Sequence, residues 1–91
     1  MTYGEKFQLA RNHNTSEDIL RKLAKDKDFV IRCMVASNRN ASSTLLIMIF
    51  EYERSLKEPD LDVMYNLHNN KKLPTFAKRV IETLYGNEDM L

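Results

Sequence analysis

The 91-residue sequence has no tryptophan, two glycines, two prolines and one cysteine, and each scarcity removes a class of protein. So few turn residues leave too little punctuation for a β-sandwich and point to an ordered, mostly helical globular chain. One cysteine excludes an intrachain disulfide framework and a cysteine-based metal site, and it suits a reducing compartment. Charge of one sign is also missing: 14 Lys and Arg against 13 Asp and Glu leave +1. No global field announces a nucleic acid or membrane, so any basic patch has to be local. No apolar run approaches the length needed to span a bilayer, and residues 1–10 hold no apolar core of signal-peptide length. A soluble cytoplasmic protein is the expectation. A second core would leave each half below the roughly 40–50 residues that fold unaided, so one domain is expected.

What the chain does have is internal repetition. Residues 10–24 align with residues 36–50, a shift of 26, and a weaker third copy begins at Leu67, 31 further on. The insertion falls near residues 55–60. Within each copy, Ser16 and Ser42 are placed to cap a helix, and Pro74 is expected in the first turn of the third, where its missing N–H costs nothing. Apolar residues then recur at helical spacing: Ile19, Leu20, Leu23 and Ala24; Leu45, Leu46, Ile49 and Phe50; Phe76, Ala77, Val80, Ile81 and Leu84. These are the second helices. First helices precede the Asn-rich turns, at roughly residues 2–10, 28–37 and 60–67, with Asp28 and Pro59-Asp60 marking two of their starts. The result is an all-α chain of three helix pairs, in units 3–27, 28–58 and 59–85 with a tail at 86–91. One pair cannot bury its apolar stripe, whereas three stacked pairs share a core, as in a solenoid.

The phrase Leu9-Ala10-Arg11-Asn12-His13-Asn14-Thr15, then Asp18-Ile19-Leu20-Arg21-Lys22-Leu23-Ala24-Lys25-Asp26, then Val30-Ile31-Arg32 and Val35-Ala36-Ser37-Asn38, resembles the leucine-rich repeat variant. The resemblance is good over residues 9–50, fair over 61–84 and absent at the tips. It implies a right-handed α-α superhelix akin to HEAT and armadillo repeats, and names no activity. Some members of that family carry an iron–sulfur cluster on a Cys-rich segment; with Cys33 alone, no such cofactor is expected here.

Asn12, Asn38 and Asn69 occupy equivalent turn positions in this alignment. The plainer role is structural, since Asn tolerates αL geometry and satisfies backbone groups at helix ends; a polar ladder facing a ligand is the alternative. Arg32 follows Asp28 by four residues, so an ion pair along the helix is the simple account. His13 and His68 each lie beside an Asn turn with no carboxylate or Cys at ligand spacing, and read as solvent-facing. Cys33, among Ile31, Met34 and Val35, reads as a small buried hydrophobe. Gly4 and Gly86 stand alone, so there is no phosphate loop. The expectation is a protein without enzymatic activity, metal or cofactor.

The second helices carry a doublet after their shared apolar pair: Arg21-Lys22, Ile47-Met48 and Lys78-Arg79. Stacked in register, these would form a basic–apolar–basic row, which the family resemblance sets on the concave, partner-binding face. A protein partner bound there is the leading expectation. The middle helix could equally be buried all round, since Leu45 to Phe50 is apolar throughout, or the patch could mediate self-association. Separately, residues 63–81 contain Lys71, Lys72, Lys78 and Arg79 and no acid, a segment suited to a phosphate backbone. Against nucleic acid stands the lack of aromatics among these bases: Phe76 is the one nearby, and its spacing assigns it to the core. A small accessory inhibitor of phage or mobile-element type is a further alternative, with no target indicated. Tyr3 and Phe7 at one end, and Leu84, Tyr85, Met90 and Leu91 at the other, either close the core or form a homodimer contact.

Overall fold

Hydroxyl and carboxylate side chains set where the helices begin. In the computed structural model, which describes residues 1–86, the chain forms six helices and, among those residues, no strand. Thr2 opens α1 (Tyr3–Arg11) with a reciprocal box: its hydroxyl accepts from the Glu5 N–H and its own N–H donates to Glu5. Ser16 caps α2 (Glu17–Leu23), Asp28 caps α3 (Phe29–Ala36), Ser42 caps α4 (Ser43–Ser55) and Asp60 caps α5 (Leu61–Asn69). Each such cap stabilises its helix by about 1 kcal/mol. Pro74 differs from expectation by one position. Its ψ of 148° is extended, so it stands just outside α6 (Thr75–Tyr85), which starts without a side-chain cap.

The first helices form the inner layer, with α3 packed against α1 on one side and α5 on the other. The second helices lean on this layer: α2 on α1 and α3, α4 on α3 and α5, α6 on α5. Ile31 and Val35 of α3 are wholly buried at the centre, with Leu20, Leu45, Leu46, Ile49, Met64, Leu67 and Ile81 around them. Burying each such side chain stabilises the fold by about 1.5–3 kcal/mol. Cys33 belongs to the same cluster, 6% exposed, and burial pushes its thiol up to about 11, with Asp60 and Asp62 adding to the rise. Met90 and Leu91, expected at the apolar C-terminal end, lie outside the described residues.

The turns between paired helices are built by one asparagine device used three times. The side-chain oxygens of Asn12, Asn38 and Asn70 accept from the N–H two residues on, at 2.8, 2.8 and 3.0 Å. Their backbone oxygens accept from the N–H three residues on, at Thr15, Ala41 and Leu73. Asn38 Nδ2 then donates to Ala10 O at 2.8 Å and Asn12 O at 3.0 Å, and Asn70 Nδ2 repeats this on Ala36 O at 2.9 Å and Asn38 O at 3.3 Å. Each amide thereby satisfies carbonyls that the end of the preceding unit's first helix leaves open. The third turn residue is therefore Asn70, not Asn69, and the second offset is the 32 residues that separate Asn38 from Asn70. The reason for asparagine also changes. No residue among those described has a positive φ, so the side-chain amide, not tolerance of αL geometry, is what the turn requires.

Arg32 is not paired with Asp28. Asp28 is engaged in capping α3, and Arg32 turns inward to Glu53, 21 residues away, at 2.8 Å from Nε and 3.4 Å from Nη2. Its Nη1 donates to the carbonyls of Asp26 and Lys27, and Glu53 also accepts the N–H of Asp60. This buried pair, 6% and 0% exposed, pins α4 to α3 and to the start of α5.

Candidate functional site

The asparagine register also decides which second-helix residues correspond. With offsets of 26 and 32, Arg21, Ile47 and Arg79 share one position and Lys22, Met48 and Val80 share the next. The doublet of the third unit is thus Arg79-Val80, where Lys78-Arg79 was expected. Arg21 and Lys22 are exposed on α2, and Arg21 is held at 3.0 Å from Glu17 one turn earlier. Glu17 also accepts the Ser42 N–H; the Ser42 hydroxyl, then that N–H and the Arg21 guanidinium, hold its carboxyl below the usual range. Met48 and Val80 are half-buried and pack against the core. Ile47 is half-buried on α4 without forming part of that cluster, and Arg79 is exposed. Lys78 is half-buried. The second helices find their main contacts on the first helices, so these positions form a spaced row and not a close stack.

At the end of this row Arg79 joins Arg54, Val80, Thr83 and Leu84 around a shallow hollow of about 340 Å³. The Arg54 guanidinium lies 5.5 Å from the Phe50 ring centre, which fixes it over an apolar surface. Comparison of the chain with family models, with curated proteins and with solved structures found no match.

The basic segment at residues 71–79 divides in two. Lys71 and Lys72 sit on the third turn, where with Ser37, Arg39, Asn69 and Asn70 they line an open groove of about 610 Å³ between the second and third turns. Lys78 and Arg79 lie beyond it on α6. Arg39 was missed by reading the segment alone, because it comes from the neighbouring turn; its correspondence to Lys71 in the repeat was the available signal. Phe76 departs from expectation most sharply. It is 58% exposed on the first turn of α6, because the 32-residue offset gives it the position of exposed Thr44, while Ala77 and Ile81 take the core positions of Leu45 and Ile49.

The histidines also separate. His13 is exposed, but His68 is half-buried on α5 with Nε2 2.6 Å from Glu82 on α6. The carboxylate comes from another helix, which local spacing does not reveal. Among the described residues, no three His, Cys, Asp or Glu side chains converge as a metal-ligand set.

Proposed function

We propose that the chain is a non-catalytic binding module, a short right-handed superhelix of three helix pairs, that captures a protein partner on the face of its second helices. The observation that carries this reading is Ile47: a half-buried apolar side chain on α4, outside the core cluster and flanked in register by the exposed cations Arg21 and Arg79. Apolar anchors and arginines are the residue types that concentrate binding energy at protein interfaces. The complementary partner surface is acidic with a central apolar contact. Lys22 and Lys78 lie on the same two flanking helices as Arg21 and Arg79, and Met48 packs into the core beside Ile47 in sequence. The resemblance of residues 9–50 to the leucine-rich repeat variant supports the superhelical reading, and the single buried thiol of Cys33 suits a cytoplasmic setting.

Parallel affinity capture with the wild type and with Ile47→Asp tests this. A protein retained by the wild type and by Lys71→Glu, but lost with Ile47→Asp and with Arg79→Glu, is the expected result. Identical capture by all four, or unfolding of Ile47→Asp by circular dichroism, overturns it. Sedimentation of the wild type alone at two concentrations identifies self-association through the same patch.

A further inference from the structure

The net charge of +1 conceals a local excess of cations in the turns. The three turns within helix pairs, at residues 11–16, 37–42 and 69–74, contain no Asp or Glu, and they carry Arg11, Arg39, Lys71 and Lys72. The connections between pairs emerge at the opposite helix ends and mix both signs, Asp26, Asp28, Glu58 and Asp60 with Lys25, Lys27 and Lys57. At the turn end, the first turns of α4 and α6 have no acidic residue, and only α2 begins with Glu17 and Asp18. The second and third turns, where the groove lies, therefore hold three cations and no acid.

We propose that this groove binds the phosphate backbone of a single-stranded nucleic acid, with Arg39, Lys71 and Lys72 on successive phosphates and Phe76 stacked on a neighbouring base. The cations of this site lie on the turns and not on the second helices; Phe76 is its one member on a second helix, one turn before Arg79. Three observations converge. The cations are uncommitted: Lys6, Arg21 and Arg32 are each within 4 Å of a carboxylate, whereas among the described residues Arg39, Lys71 and Lys72 are not. The third turn, which presents Lys71 and Lys72, is braced, since Asn70 bonds Ala36 O, Asn38 O and the Lys72 N–H, and Lys72 O accepts the Ser43 hydroxyl at 2.7 Å. Finally, Phe76 is bare, four residues after Lys72 and on the same end of the molecule.

Each feature narrows the ligand. Helices in contact pack about 8–10 Å apart, so cations on adjacent turns address separate points along a strand and not one small anion. An acidic peptide would satisfy the lysines but would leave the large exposed ring without a flat partner. Bases offer that partner, and single strands offer it more freely than a duplex, in which the bases are already stacked. Asn69, exposed in the groove, adds a neutral donor and acceptor. Phosphate contacts supply affinity without reading sequence, so broad sequence tolerance is expected.

Fluorescence anisotropy with a labelled mixed-sequence single-stranded oligonucleotide, run from low to moderate salt, is the test. The wild type is expected to bind with an affinity that falls with salt, at a log–log slope of about −2 for three phosphate contacts on a single strand. Lys71→Glu with Lys72→Glu should flatten that slope by at least about 1, and Phe76→Ala should weaken binding about five-fold or more at unchanged slope. Arg21→Glu, on the other face, should leave binding unchanged. Melting curves that match the wild type confirm that the exposed-residue variants are folded. The proposal is overturned by no binding at tens of micromolar protein, by full retention in the Lys71/Lys72 variant, or by a polyglutamate peptide competing as well as the unlabelled strand. Competition by inorganic phosphate at matched charge as effective as the strand's overturns it as well, reducing the groove to a small-anion site.

Discussion

Arg32 and Glu53 meet in the interior at 2.8 Å, one from α3 and one from α4, with almost no access to water. Both ends of the pair are fully engaged, since the guanidinium also holds the Asp26 and Lys27 carbonyls and the carboxylate also holds the Asp60 N–H. The pair therefore closes the connections on both sides of the middle helix pair, residues 24–28 and 56–60; the insertion expected near residues 55–60 instead lengthens α4, which has 13 residues against 7 in α2. Removing one partner strands a buried charge. Glu53→Ala is expected to destabilise the fold by about 3–5 kcal/mol in urea unfolding, and Arg32→Met with Glu53→Leu by clearly less. A single variant as stable as the double would show that the pair is not buried as described.

The asparagine turns make a sharper test of the repeat register. Asn38→Ala removes two bonds to carbonyls of the preceding unit and should cost about 1–3 kcal/mol, and Asn70→Ala should do the same. Asn69→Ala, one residue away and exposed, should stay within about 0.5 kcal/mol of the wild type. Equal losses at Asn69 and Asn70 would contradict the 32-residue offset.

Acid sensitivity has a defined source in Asp26. The Lys6 ammonium at 2.8 Å, and then the Asp28 N–H at 2.9 Å, hold its carboxyl below the usual value of 3.8. A depressed folded value means that the stabilisation is present above the unfolded pKa and is lost as pH falls through the folded one. Asp26→Asn should therefore lose less stability than the wild type between about pH 5 and pH 2, with the difference between them shrinking as pH falls. Parallel pH dependences in urea titrations would exclude this pair as a contributor.

Helix starts could be read from the sequence because a cap is a local event: Ser16, Ser42, Asp28 and Asp60 act within three residues of themselves. The register of the third unit is ambiguous in the sequence because Asn69 and Asn70 are neighbours of identical type, and only contacts with Ala36 and Asn38 distinguish them. A one-residue shift has a large effect, since one residue rotates a helical position by about 100°. It moves Phe76 to a core position and sets Lys78-Arg79 where Arg79-Val80 belong. The Arg32–Glu53 and His68–Glu82 contacts join different helices, and the groove joins different turns; none has a signature in local spacing.

A photo-crosslinking amino acid at position 47, with the same group at exposed Tyr65 on α5 as control, tests most directly whether Ile47 sits at the heart of a protein-binding face in the native cell. The expected result is one discrete higher-mass adduct from position 47, absent from position 65 and abolished by Arg79→Glu. Adducts of equal pattern from both positions, or none from position 47 in a folded protein, would contradict such a face.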